Sequence, residues 1–449
     1  MHPKALVVGL GLLATALVCG SAPQRIGDGR EYIAMGRAMA RLHAPALAPS
    51  DVAVGEAELQ RMGFGGLALS TYPRLRDAGG RQDFFHFWFY SALAVPGLWL
   101  AALLGVHPNF GFVALNFALF FGSLWVVSRR VSWWVAAIVF CSPVLWWIDK
   151  AHTEVFTFSL LAAAFVLLRD KPWWSMVAVG AAATQNVPIA LLLPAILGLR
   201  ARRPVSREPR FWLGAAAGVL LALLHPLYYE WRWRVPTPQV FQGSHARVPS
   251  LQELAAVIWD PNIGLVAHAP FFGAAVLIAA ITLILRTRRR RLSTEDGSTR
   301  GSGADVWLAL TAAAIFLGSF SQTTNFNNGG TCGMSRYALW LIPLGLPFLD
   351  RAARVIGRPL RAALVTVALA SCVSSVIAFQ PRLLERYCTP TRLASAIWAR
   401  RPSLDNPLPE IFAERLSGRE PGLAPVATPG CTKVMVVGGY WPLPCLPKP

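Results

Sequence analysis

PNFGFVALNFALFFGSLWVVSRR, residues 108–130, sets the character of the whole chain. Positions 108–128 carry no charge, and Arg129-Arg130 closes the run. About twenty apolar residues in a row cross a ~30 Å hydrocarbon layer as a helix, because only a helix satisfies its own backbone polar groups there. Working outward, further apolar runs fall at 84–105, 131–148, 153–168, 173–185, 187–199, 211–229, 264–285, 305–321, 337–350 and 361–380. A first segment, Ala5 to Ala22, follows Lys4 and reads as a signal anchor, with a cleavable signal peptide as the alternative.

Composition agrees. The 449 residues hold 42 Lys+Arg against 23 Asp+Glu, a net charge of +19, yet only 14% are charged. Soluble domains carry roughly 25%, and the mean hydropathy is +0.45. A soluble chain of this length would need about three charge-coated domains, and the charge to coat them is missing. Only Lys4, Lys150, Lys171, Lys433 and Lys448 are lysines; the other cations are arginines clustered between apolar runs. That is the pattern of cytoplasmic loops rather than of a nucleic-acid footprint. No Walker A sequence, Cys-x-x-Cys pair or dinucleotide fingerprint is present. The expected fold class is an all-α polytopic membrane protein, with no nucleic-acid partner.

Arg129-Arg130, Arg169 with Lys171, Arg200 to Arg210, Arg286 to Arg291 and Arg351 to Arg361 should all face the cytoplasm. They agree if 173–185 and 187–199 form a short hairpin and 84–128 crosses an odd number of times. Pro96-Gly97 favours a bend, so 84–105 is expected as a broken or re-entrant hairpin and 108–128 as the true crossing. The total is about eleven transmembrane crossings of the plasma (inner) membrane. The N-terminus is then cytoplasmic and the tail extracytoplasmic. Residues 1–380 form the membrane domain, with 23–83 as a long first outer loop, and 381–449 form the short C-terminal tail. Cys388, Cys431 and Cys445 lie in that tail, where disulfides can form. Cys431 with Cys445 is the easier pair by separation, with Cys388 as a competing partner, and Val434 to Val437 reads as a short strand.

With this orientation the chemistry-bearing residues gather at one outer boundary. Asp28-Gly29-Arg30-Glu31-Tyr32 opens an amphipathic helix whose Tyr32, Met35, Met39 and Leu42 form an apolar stripe suited to the lipid interface. Asp28 and Glu31 have the spacing of a capping box, and the same spacing can present a carboxylate to a cavity. Asp149-Lys150-Ala151-His152-Thr153-Glu154 follows the interfacial Trp146-Trp147. This turn can line a substrate cavity, ligate a metal through His152 and Glu154, or simply be solvated. Gln185 and Asn186 interrupt an apolar stretch and need partners or water; they suit a hairpin turn as well as a sugar site. Asp260-Pro261-Asn262 reads as a turn or a helix cap. Asn325 to Tyr337 is the most unusual stretch, Gly-rich and closed by Arg336-Tyr337. Arg336 can fork onto a phosphate at the membrane surface or snorkel.

The order of these pieces resembles the GT-C superfamily of integral-membrane glycosyltransferases, which use polyprenyl-phosphate sugars, in the manner of the protein mannosyltransferase and aminoarabinose transferase types. The matching residues are Gly27-Asp28 with Tyr32, Arg129-Arg130, Ser142-Pro143, Glu154, Asp260-Pro261-Asn262-Ile263-Gly264-Leu265 with Pro270, and Gly329-Gly330 with Arg336-Tyr337. The chain departs from the family at Gly29, where members usually carry Glu directly after the loop Asp.

The resemblance implies an inverting transfer of sugar from a lipid-linked donor to a glycan, lipid or protein acceptor on the outer face. Asp28 is expected as the base, with Glu31 beside it as a second catalytic carboxylate. Arg336, or less favourably Lys150 or Arg232, would hold the phosphate. Asp149, Lys150, His152, Glu154, Gln185, Asn186, Arg232, Asp260, Asn262, Arg336 and Tyr337 are the expected substrate-binding residues. No cofactor or metal is invoked. The alternatives are a transporter or lipid flippase, which should show polar groups near the midplane and internal repeats, and a catalytically inactive GT-C relative.

Overall fold

Each apolar run carries helix in the computed structural model, which describes residues 3–19, 28–61, 69, 75–200, 204–242, 248–292, 304–320, 334–353, 356–379, 389–417, 431–434 and 445–447. Helix α1 (Pro3–Cys19) buries Leu10 and Ala14 in the main core, which it shares with α5 (Asn109–Arg130). Helices α2 (Gly29–Ala40) and α3 (Pro49–Arg61) precede a two-stranded ribbon, β1 (Leu75–Arg76) and β2 (Gln82–Asp83). The ribbon leads into α4 (Phe89–Leu103).

Two expectations are corrected in this region. Segment 84–105 is not a broken or re-entrant hairpin: α4 is one continuous helix with Pro96 inside it. It forms an antiparallel pair with α5 through the turn at Gly105, whose φ of +63° suits glycine. The pair approaches so closely that a Cβ on Gly97 would stand 2.5 Å from the Gly111 carbonyl oxygen. That contact keeps the helix going past the backbone bond Pro96 forfeits. The odd-crossing count built on a broken segment therefore loses its premise. Nor does α2 lay its stripe in lipid. Of the expected stripe, Tyr32 and Met35 are buried in a second core with Tyr90, Ala94 and Leu98 of α4 and with Phe112, Met39 packs partly buried against it, and Leu42, past the helix end, is exposed. Amphipathic spacing alone does not distinguish a lipid-facing stripe from one covered by protein.

Helix α6 (Trp133–Phe140) stops before Ser142-Pro143 and is followed by a 3-10 turn, Pro143–Trp147. Next come α7 (Glu154–Leu167) and the expected hairpin, α8 (Pro172–Ala183) against a 3-10 turn, Val187–Leu191, continued by α9 (Leu192–Arg200). Helix α10 (Pro209–Trp233) crosses α8 at two glycines, Gly180 and Gly218, where a Cβ on the first would meet the second's carbonyl at 2.1 Å. Helices α11 (Leu251–Trp259), α12 (Leu265–His268), α13 (Pro270–Leu292) and α14 (Ala304–Phe320) follow. The expected span 337–350 is in pieces: α15 (Arg336–Leu339), a 3-10 turn Ile342–Gly345, and α16 (Leu346–Ala353). Helix α17 (Arg358–Phe379) completes the bundle.

Among the described residues two helices, Asn109–Arg130 and Pro209–Trp233, are long and apolar enough to cross a membrane by length and composition. Shorter apolar helical stretches run over Phe89–Leu103, Glu154–Leu167, Val187–Arg200, Pro270–Ile281 and Val306–Phe320, and Pro143, Pro188 and Pro343 sit where the chain tightens into 3-10 turns. The described residues do not confirm a count of about eleven crossings. The outward face of α10 still presents Trp212, Leu213, Leu220, Leu227 and Trp231 at helical spacing, and α4 presents Trp99, Leu100 and Leu103. Soluble proteins rarely expose apolar rows of that extent, which suits a surface that faces lipid.

In the tail, α18 (Arg392–Arg400) and α19 (Pro409–Ser417) close on Trp398 and Phe412, 5.1 Å between ring centroids. Two strands, β3 (Cys431–Val434) and β4 (Cys445–Pro447), pair antiparallel, with Val434 opposite Cys445. The strand therefore ends where the sequence reading began it, and residues 435–437 lie outside the described residues, as does Cys388. The side-chain pairing expected of Cys431 and Cys445 lies outside the described part as well.

Candidate active site

Four separate parts of the chain meet around Asp28. Asp28 precedes α2, His86 follows β2, His152 and Glu154 form the turn into α7, and Arg336 is the first residue of α15. Their positions are set by buried polar side chains projecting from helices. Asn116 of α5 donates to the Lys150 carbonyl at 2.8 Å and accepts from the Tyr90 hydroxyl at 2.9 Å. Asn109 donates to the Asp149 carbonyl at 3.0 Å. Ser91 donates to the Tyr32 carbonyl at 3.0 Å, tying α4 to the start of α2. These bonds satisfy buried carbonyls of an irregular turn, which would otherwise be costly.

The capping-box expectation is corrected: Asp28 is the N-cap residue of α2, but its side chain makes no cap hydrogen bond. It faces three cationic or ionisable groups instead. Its Oδ2 lies 3.2 Å from His86 Nε2, 3.9 Å from His152 Nε2 and 3.9 Å from Arg336 Nη1. His86 Nδ1 donates to Glu31 Oε2 at 2.9 Å. His152 Nδ1 bonds Glu154 Oε2, and Glu154 Oε1 lies 3.8 Å from Arg336 Nη1. Tyr32 packs over both imidazoles, with ring centroids 5.6 Å from His86 and 5.9 Å from His152.

Burial alone would raise the Asp28 pKa, but His86, Arg336, His152 and Arg30 outweigh it and hold the carboxyl below its ordinary range. Burial dominates at Glu31 and pushes it up against the pull of His86. Burial would lower His86; the carboxylates of Asp28 and Glu31 overcome this and lift it to about 9. At neutral pH His86 is therefore an imidazolium bridging two carboxyl groups. Glu31 Oε1, His152 Nε2, Glu154 Oε1 and Arg336 Nε are buried without a hydrogen-bond partner. These four atoms stand around the Asp28 carboxylate, where they can meet a polar ligand.

Of the expected site residues, Asp28, Glu31, His152, Glu154 and Arg336 are brought together. Asp149 and Lys150 lie in the same turn, but the fully buried Lys150 ammonium is already engaged, 2.6 Å from both Asp149 Oδ1 and the Trp146 carbonyl. Asn186 donates to Thr157 Oγ1 at 2.9 Å, one turn beyond Glu154 on α7. Both polar atoms of the Gln185 side chain are buried without a partner. Arg232 is held elsewhere, 2.9 Å from Asp77 and 2.8 Å from Asp83. It clamps the end of α10 to β2, three residues before His86. Asp260 accepts from the backbone N–H groups of Asn262 and Ile263 at 2.7 and 3.1 Å. Burial, with the nearby Asp405, raises it to about 6. Its loop is scaffolding: Ser335 N–H donates to the Ile263 carbonyl at 2.9 Å, fixing the approach to Arg336. Thr391 of the tail donates through its hydroxyl to the Pro261 carbonyl at 2.7 Å and through its backbone N–H to Asn262 Oδ1 at 3.3 Å. Tyr337 stacks on Phe320, 4.9 Å between centroids and 8° between planes. Residues 325–333, which the sequence reading placed beside Arg336, lie outside the described residues.

Sequence reasoning missed His86. The available signal was a lone histidine in Asp83-Phe84-Phe85-His86-Phe87-Trp88, an ionisable group amid aromatics at the head of an apolar run. The structure also accounts for Gly29. A Cβ there would stand 3.0 Å from the Ala151 carbonyl oxygen, so the turn bearing His152 packs directly on the backbone. Glu31, two residues further on, brings a second carboxylate to His86, 2.9 Å from its Nδ1.

Asp28, Glu31 and His86 each offer one ligand atom, all within 4.8 Å of one another, a spacing that can hold a divalent ion. Such an ion competes with the proton that His86 carries between the two carboxylates, since a ligating imidazole must be neutral. As placed, the three side chains make the contacts of an imidazolium.

Fold and site together define a helical membrane bundle with an acid, imidazole and guanidinium cluster at the helix ends. No family model and no curated protein sequence matches the chain. Among solved structures it is similar to ArnT from Cupriavidus metallidurans in the apo state, at 14% identity and a TM-score of 0.49. The alignment covers 84% of this chain and 64% of that one, so the chain spans under two thirds of that structure's length.

Proposed function

We propose that this protein is an integral-membrane glycosyltransferase that moves a sugar from a polyprenyl-phosphate donor to an acceptor hydroxyl at the outer face of the plasma membrane. The observation that carries the reading is the meeting of carboxylates with a guanidinium at one point, Asp28 Oδ2 standing 3.9 Å from Arg336 Nη1. Arg336 contacts Asp28 and Glu154 at 3.9 and 3.8 Å, which is charge pairing without a direct hydrogen bond. Among the described residues no direct hydrogen bond occupies its donors, which suits them to a phosphate oxygen.

In the reaction the acceptor oxygen attacks the anomeric carbon from the face opposite the phosphate, and the bond from that carbon to the phosphate oxygen breaks. Polyprenyl phosphate leaves as an anion against Arg336, and the acceptor proton passes to Asp28. Inversion follows from the direction of attack. A carboxylate with a depressed pKa is a weak base, so the proton moves as the new bond forms and the hydroxyl becomes acidic. His86 keeps Asp28 ionised and oriented throughout. Glu31 supports His86, and Glu154 orients His152.

The test is transfer in reconstituted proteoliposomes given a panel of polyprenyl-phosphate sugars, read as released polyprenyl phosphate. Wild type should consume at least one donor, and Asp28→Asn should lower the rate by at least about 100-fold. Undiminished transfer by Asp28→Asn would remove Asp28 as base; a wild type that consumes no donor would remove the enzyme class.

A further inference from the structure

A cleft lies at the far end of the helices that begin at the candidate site. Helix α7 starts with Glu154 and runs 14 residues to Leu167, about 21 Å by the rise per residue. Arg169 and Asp170 follow immediately. Arg130 ends α5 beside them, and Asp350 and Arg351 of α16 complete the polar rim. The floor is apolar, with Phe165 and Val166 of α7 against Leu346 and Pro347. The cavity measures about 70 Å³, several times what one water needs.

Three guanidinium groups and two carboxylates line this cleft, a net charge of +1. Arg130 Nη1 lies 2.8 Å from Asp170 Oδ2, and Arg169 Nη1 lies 3.8 Å from Asp350 Oδ2. A guanidinium has five donors, so one carboxylate contact does not exhaust it. Arg129, the chain neighbour of Arg130, lies over the Trp125 ring at 4.8 Å, the aromatic and basic pairing of a membrane boundary. Basic pockets between membrane helices at such a boundary hold anionic headgroups.

We propose that this cleft binds a phosphate-bearing anion, its oxygens on Arg130, Arg169 and Arg351 and any attached chain against Phe165 and Val166. The geometry suits the phosphodiester of an anionic lipid, and a free phosphate shares the same recognition. This site is separate from the Asp28 cluster and does not depend on the glycosyl-transfer reading.

The test uses delipidated full-length protein in detergent, with thermal unfolding and native mass spectrometry as readouts. The probes are phosphatidylglycerol, phosphatidylcholine and inorganic phosphate. The variants are Arg169→Gln/Arg351→Gln, which removes charge, and Val166→Phe, which fills the floor while keeping every charge. Phosphatidylglycerol should raise the unfolding midpoint of wild type by several degrees and remain bound in the spectrometer, and phosphatidylcholine should do neither. Both variants should lose the shift; if the arginine pair fails to fold, Val166→Phe alone decides. A matching shift from inorganic phosphate assigns the anion to a free source, and its absence assigns it to lipid. Equal effects of the two lipids, or an unchanged phosphatidylglycerol shift in every folded variant, overturn the proposal.

Discussion

His86→Gln isolates the imidazolium that joins Asp28 to Glu31. In the folded protein the His86 pKa rises from 6.5 to about 9, and each unit of difference is worth 1.36 kcal/mol. The bridge therefore contributes on the order of 3 kcal/mol when fully protonated. Because the folded pKa is raised, the contribution is complete below pH 6.5 and is lost as pH climbs through about 9. Asp28 adds nothing in that window, since its pKa is lowered and its own loss comes only on acidification below the usual carboxylate range. Thermal unfolding of purified protein at half-unit steps from pH 6 to 10 checks this, with wild type and variant in the same detergent. Wild type should lose stability relative to His86→Gln across pH 6.5 to 9, and the two curves should converge above it. Parallel curves throughout would show that His86 is not charged between the carboxylates, and the account of an ionised, oriented Asp28 would fall with it.

Arg336→Lys keeps the charge but loses the planar fork, so donor turnover should fall steeply while the unfolding midpoint stays near wild type; both are read on the same preparation. Lys150→Met strands a buried carboxylate at Asp149 and should cost about 3–5 kcal/mol, while Lys150→Met with Asp149→Asn should recover most of it. Chemical denaturation of the single and double variants measures the difference. Gly180→Leu places side-chain atoms where a Cβ alone would be 2.1 Å from the Gly218 carbonyl. It should destabilise the α8 and α10 pair by about 1–3 kcal/mol or more, seen as a lower unfolding midpoint. Asp260→Ala removes two backbone hydrogen bonds and should cost about 1–2 kcal/mol, with protease nicking of the tail near Thr391 as a second readout.

Much of the candidate site was legible as residue types but not as partners. Asp28, Glu31, His152, Glu154 and Arg336 stood out because each is an ionisable group at the margin of an apolar run, where burial makes a charge conspicuous. What joined them was not legible. His86 carries both contacts between Asp28 and Glu31, yet in sequence it is one histidine among the four aromatics Phe84, Phe85, Phe87 and Trp88. Arg232 and Asp260 looked the same as Arg336 and Glu154 from the chain, and the structure assigns them to a clamp and a turn.

The sequence by itself established that the chain is an apolar helical bundle, since a long uncharged run has few ways to satisfy its backbone except as a helix. It also placed most helix ends, because proline and arginine clusters act locally. Tertiary structure alone decided that Pro96 lies inside an intact helix, that the α2 stripe faces protein, and that three carboxylates share two imidazoles and a guanidinium. Those outcomes rest on contacts between residues far apart in the chain, such as Gly97 with Gly111 and Asp28 with Arg336. Local periodicity says which face of a helix is apolar, and only packing says what covers it.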